Sequence, residues 1–213
     1  MLPTVLAAVS VYAQSEVTYT ETQHAVELDV PLTPKLDVTL HGRIRTHPGV
    51  LGVYQVRTGP VLNYAVVPRF SVLGGYYFSA QKSAEDEVWG RHRPFGGVEF
   101  TLLQTNALKL EGRSLFERFL GSGSDFNRVR NRLRVEARGK VAPYAGGEWF
   151  ADARGSRGMR YSGGVRWEAG EQFEMDIGYF YEARRPDAGH NRHMFLTSFH
   201  FRFPAERRPD PDI

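Results

Sequence analysis

The chain has 213 residues, with 27 basic against 24 acidic side chains, a pI near 9.2 and a mean hydropathy of −0.40. That near balance of charge argues against a dedicated nucleic-acid binder, which shows a clear basic excess on one surface, and no apolar run is long enough for a membrane-crossing helix. Cysteine is absent, while 22 glycines and 13% aromatic residues suit strands that bend and pack closely.

The start, MLPTVLAAVSVYAQSEV, is apolar from Leu2 to Ala13 and then turns polar. It has the form of a signal peptide over residues 1–13, with Val11 and Ala13 at the −3 and −1 positions of a cleavage site. The basic segment that normally precedes such a run is missing. Either the start is truncated or misassigned, or these residues belong to the first strand.

From there on the chain alternates with period two, the signature of a strand with two unlike faces. In 36–45, Leu36, Val38, Leu40 and Ile44 oppose Asp37, Thr39, His41, Arg43 and Arg45. Val98, Phe100 and Leu102 oppose Glu99 and Thr101. Met159, Tyr161, Val165 and Trp167 oppose Arg160, Ser162, Arg166 and Glu168. In 171–184, Phe173, Met175, Ile177, Tyr179 and Tyr181 oppose Gln172, Glu174, Asp176, Glu182 and Arg184. Near the end, Phe195, Phe199, Phe201 and Phe203 oppose Arg192, Ser198, His200 and Arg202.

Short turns are expected near 31–35, 66–69, 103–107, 139–143 and 168–172, and longer loops near 46–53, 79–92, 120–126, 153–158 and 185–190. Strict alternation of short and long connections, with strands of ten or more residues, is the habit of transmembrane barrels. The expected fold is therefore all-β, an antiparallel up-and-down barrel with a charged interior. Eleven strands can be counted from residue 20, and because bacterial single-chain barrels have even numbers, about 12 (10–12) are expected. One barrel domain would cover 14–203, with a polar tail over 204–213.

The segment NRVRNRLRVEAR (127–138) carries the sharpest alternation, with Arg128, Arg130, Arg132, Arg134, Glu136 and Arg138 on one face. The preceding strand offers Lys109, Glu111, Arg113 and Glu117 on the matching face. A hairpin that pairs Glu117 with Arg128 also sets Glu111 against Arg134 and Lys109 against Glu136, at the cost of placing Arg113 against Arg132. Each opposite-charge pair is worth about 0.2–1 kcal/mol. Two readings follow for Arg113, Arg128, Arg130, Arg132, Arg134, Arg138, Glu111, Glu117 and Glu136. They form a packed, mutually paired interior, since small barrels are just wide enough for side chains to fill, or they line a lumen that attracts anions.

The runs RPFGGVEF (93–100), LEGRSLFERF (110–119), the arginine-rich strand, APYAGGEWF (142–150) and IGYFYEAR (177–184) resemble an uncharacterised bacterial family, domain of unknown function 2490. The likeness covers most of the chain from about residue 20 to Phe203. It implies a secreted outer-membrane barrel and brings no assigned activity or catalytic residue. Phe203 would stand in for the terminal aromatic that barrel-assembly machinery reads.

Other chemistry is weaker. Ser198 and His200 share a face two residues apart, the only hint of a lipid- or lipopolysaccharide-modifying enzyme, but a nucleophile needs its base within hydrogen-bond reach and an orienting third group. Neither His190 with His193, nor AEDEV (84–88), nor GSGSDF (121–126) has the spacing of a metal or phosphate motif. No metal, cofactor or catalytic residue is expected. Trp149, Trp167, Tyr179 and Tyr181 suit the lipid side. A soluble ligand-binding barrel would show the same alternation with the apolar face turned inward. The leading expectation is a bacterial outer-membrane barrel, structural, binding or narrowly porous. Its partners would be membrane lipids, assembly machinery and a small anionic ligand, and not nucleic acid.

Overall fold

Alternation of this kind buries one face of a strand and exposes the other, and the backbone can then satisfy its hydrogen bonds only through neighbouring strands. The structure, a computed structural model, describes residues 19–47, 52–82, 87–121 and 125–204. Residues 1–13, where a signal peptide was expected, and the tail beyond Pro204 lie outside the described residues.

Among the described residues eleven strands follow in chain order: β1 (Tyr19–Thr33), β2 (Leu36–His47), β3 (Gly52–Val67), β4 (Phe70–Lys82), β5 (Val88–Gln104) and β6 (Leu108–Gly121), then β7 (Phe126–Ala137), β8 (Val141–Asp152), β9 (Gly155–Glu168), β10 (Phe173–Arg184) and β11 (Arg192–Arg202). Each pairs antiparallel with the next, and β11 returns to β1 to close the barrel. Eleven lies within the expected 10–12. An odd number of alternating strands leaves the first and last pointing the same way, and β1 and β11 pair in parallel from Tyr19↔Arg192 to Asp29↔Arg202.

The five short turns fall where expected. Two use the same device: Thr33 Oγ1 accepts from the backbone N–H of Lys35 (3.2 Å) and Leu36 (3.0 Å), and Thr105 Oγ1 from Ala107 (3.2 Å) and Leu108 (3.0 Å). The hydroxyl closes the turn in place of a backbone acceptor. At the other end the strands run further than the alternation suggested. Ser79–Lys82 and Val88–His92 belong to β4 and β5, and β8 joins β9 through residues 153–154 alone. That connection was expected to be long. It is short because Asp152 Oδ1 accepts the Arg154 N–H at 2.9 Å and Gly155 adopts a φ of +98°, open to glycine without a steric cost.

The two faces of the sheet differ in exposure. Val26, Leu40, Ile44, Val56, Leu62, Phe78, Phe116, Leu133, Trp149, Val165, Trp167, Ile177 and Phe195 are exposed on the outside. Arg43, Arg45, Arg57, Arg93, Glu117, Glu148, Glu174 and Glu182 are buried. This is the inverse of a soluble barrel with an apolar core. The interior does hold some apolar bulk, including Leu73, Leu115, Phe119, Phe150, Phe180 and Met194. Tyr144 of β8 also lies along its wall, over β9 and β10. A Cβ on Gly178 would stand 2.4 Å from the Tyr144 hydroxyl oxygen, and one on Gly164 2.6 Å, so two glycines on neighbouring strands make its room.

Candidate functional site

The barrel encloses a cavity of about 890 Å³, running from Arg184, Gly189 and His190 at one end to Asn63, Arg134, Asp176 and His200 towards the short turns. Among the described residues that line it are fourteen arginines and seven carboxylates. The surplus is not spread evenly.

One arc is paired. Arg130 of β7 bonds Glu148 of β8, which accepts from Arg160 of β9 at 2.9 Å. Arg160 Nε donates to Glu182 of β10 at 3.0 Å, and Glu182 takes Arg192 of β11 at 3.3 Å. Arg192 in turn reaches Glu21 of β1 at 3.5 Å. Six consecutive strands thus each contribute one charge, alternating in sign. Beside this chain Glu117 holds Arg128 at 2.6 Å and Arg93 at 3.4 Å. Aromatic faces support the guanidinium groups: Arg160 lies 4.2 Å from the Phe180 centroid, Arg128 4.8 Å from Phe119 and 5.0 Å from Phe150. Buried cations over rings gain from the ring quadrupole as well as from the carboxylates.

The hairpin register is the one its charges favour. Glu117 faces Arg128, Glu111 faces Arg134, Lys109 faces Glu136 and Arg113 faces Arg132. Side chains then choose partners beyond their direct opposites. The like-charged Arg113 and Arg132 both reach Glu99 of β5, at 3.5 and 3.6 Å. Glu136 is buried between Arg134 (2.6 Å) and Arg166, and Glu111 pairs with Lys109 at 2.6 Å. Of the residues singled out in the sequence, Arg113, Glu117, Arg128, Arg130, Arg132 and Arg134 line the cavity. Glu111 and Glu136 lie nearer the short turns, outside its lining. Arg138 does not belong with them: β7 ends at Ala137, and Arg138 is exposed in the turn, donating to the Thr105 carbonyl at 3.1 Å.

The opposite arc is different. Arg43 and Arg57 stand across from one another on β2 and β3, and Arg45 lies two residues along the same face. Their acceptors are neutral. Arg43 donates to Gln55 Oε1, Arg45 Nε to Gln23 Oε1 at 3.0 Å and Arg57 Nη2 to His41 Nε2 at 2.7 Å. For His41 Nε2 to accept, its proton must sit on Nδ1, where it is donated to Glu27 at 2.9 Å. The sequence pointed to Arg43 and Arg45 only as part of a polar face and missed Gln55 and Arg57. Their signal is the short polar alternation inside VYQVRTG.

Ser198 also lines the cavity. Both ring nitrogens of His200 face carboxylates, Nδ1 to Glu27 at 3.2 Å and Nε2 to Asp176 at 3.3 Å, so the imidazole is engaged away from the Ser198 hydroxyl. His193 pairs with the Tyr179 hydroxyl, whereas His190 lines the cavity, so the two do not converge. Among the described residues no cluster of histidine and carboxylate side chains could hold a metal ion. Most of AEDEV and the middle of GSGSDF lie outside the described residues.

A closed, mainly antiparallel β-barrel with an apolar exterior and a cavity rich in arginine defines the class of protein. A family model described as a protein of unknown function, DUF2490, matches residues 21–193, and the chain belongs to that family. No curated protein matches it.

Proposed function

We propose that the chain is a bacterial outer-membrane β-barrel whose interior takes up small anions, as a binding site or a narrow polar passage. The inverted barrel supports this reading most directly: exposed Val, Leu, Ile, Phe and Trp surround a cavity lined by twice as many arginines as carboxylates. Soluble proteins rarely expose contiguous apolar surface on this scale, and in lipid a strand needs a closed barrel. Strands of 11 to 17 residues meet or exceed the roughly 9–11 needed to cross hydrocarbon at a tilt. A surplus of one sign of charge in a low-dielectric enclosure concentrates ions of the other sign. Assembly machinery and membrane lipids are then its partners in biogenesis.

Fractionation of producing cells should place the chain in the outer membrane, with faster migration on gels when unboiled. In planar bilayers any conductance should prefer anions, and a silent bilayer would select binding over passage. Recovery in the soluble fraction, or a preference for cations, would sink the proposal.

A further inference from the structure

The charge surplus of the cavity is concentrated at one place. Arg43, Arg45 and Arg57 are 9%, 7% and 8% exposed, and among the described residues none has a carboxylate within 4.0 Å. Arg57 and Arg93 flank one ring, their guanidinium carbons 4.3 and 4.8 Å from the Tyr77 centroid. Arg93 spends Nη1 on Glu117 but leaves Nε and Nη2 buried and without a hydrogen-bond partner, and Arg43 Nε is likewise unpartnered. Buried polar atoms are nearly always satisfied, so each such donor asks for an acceptor. Uncompensated buried charge asks for a counter-ion.

We infer that Arg43, Arg45, Arg57 and Arg93 form a binding site for a phosphoryl-type oxyanion, a ligand carrying two or more negative charges on tetrahedrally arranged oxygens. Planar guanidinium forks match such oxygens in pairs. Arg43 and Arg57 sit in register on adjacent strands, with Gln55 offering an amide beside them. A single carboxylate would offset one charge of the cluster and leave the rest. The oxyanion comes from solution, because the site faces the interior and the sheet stands between it and surrounding lipid. The site deepens the anion-binding reading and rests on it, but it does not depend on where the barrel resides in the cell.

The test uses the full chain folded in detergent at low ionic strength, in buffer free of phosphate and sulfate, titrated calorimetrically. One arm adds inorganic phosphate and the other a short-chain phosphatidic acid carried in the micelle. The expected result is saturable binding of inorganic phosphate, weakened at least tenfold by Arg43→Gln and by Arg57→Gln and unchanged by Arg138→Gln in the exposed turn. Should either arginine variant fail to fold, Gln55→Glu supplies an internal counter-charge without removing an arginine, and the same loss is expected. Binding of phosphatidic acid alone, lost in the same variants, would keep the phosphoryl site and overturn solution as its source. Absence of saturable binding in both arms, or binding that Arg43→Gln and Arg57→Gln leave intact, would overturn the site. Such a failure would leave the outer-membrane barrel standing, just as recovery in the soluble fraction would leave the site standing.

Discussion

Two arcs of one barrel wall solve the problem of buried arginine in opposite ways. From β7 round to β1 every guanidinium of the chain Arg130, Arg160, Arg192 meets at least one carboxylate. From β2 to β3 Arg43, Arg45 and Arg57 meet amides and an imidazole. A buried ion pair recovers its desolvation cost only through close geometry and further hydrogen bonds. The first arc has close ion pairs, with Glu148 shared by two arginines and Glu182 by three. The second arc has hydrogen bonds without compensation of charge. Pairing separates the two: the arginines without a carboxylate are also the more deeply buried.

Breaking the first arc should have the largest effect. Glu182 gathers Arg160, Arg184 and Arg192. Glu182→Gln keeps the shape and leaves three half-buried cations short of an anion around a buried position, a loss of up to about 3–5 kcal/mol. Urea unfolding of the detergent-folded chain, followed by tryptophan fluorescence, should show the midpoint fall. An unchanged midpoint would mean that the alternating chain is geometric and carries no energy. Converting the second arc into the first should act in the opposite direction and more weakly. Gln55→Glu puts a carboxylate where Arg43 already donates, and a hydrogen bond to a charged group contributes about 1.5–3 kcal/mol. The same unfolding measurement should show a higher midpoint in phosphate-free buffer. A lower one would mean that the arginine cluster is not short of negative charge.

How much of this could be read from the sequence follows the range of the interactions. The β6–β7 register was legible because its partners lie within one hairpin and their charges have few good alignments. Arg113 opposite Arg132 looked repulsive on that basis. The repulsion is relieved by Glu99 on a third strand, which no two-strand reading could supply. The count of eleven strands lies within the expected 10–12, but the parallel closure through β1 and β11, which joins residues 19–29 to 192–202, is announced by no local pattern. The unpaired arc was the least legible. Arg43 looks like any arginine on a polar face, and its lack of a carboxylate is a property of β1, β3 and β4 together.

Ion pairing outside the barrel gives the comparison its lower limit. Beyond β10, Asp187 lies in a short 3-10 turn (Pro186–Ala188), where it accepts from Arg185 and pairs with Arg154 at 2.9 Å. The hydrogen bond from Arg185 holds the Asp187 carboxyl below its usual range, and the same bond raises Arg185. A carboxyl depressed by folding adds stability that is complete above its unfolded pKa and is lost as pH falls through the folded one. Water screens this pair, as it does most exposed ion pairs. Asp187→Asn should therefore leave the urea midpoint at neutral pH within experimental scatter, far from the fall expected of Glu182→Gln. Acidification from pH 5 towards pH 3 should then narrow whatever difference remains between Asp187→Asn and the parent chain. A loss at neutral pH as large as that of Glu182→Gln would show that exposed pairing stabilises this barrel as much as buried pairing, and the distinction between its arcs would lose its energetic basis.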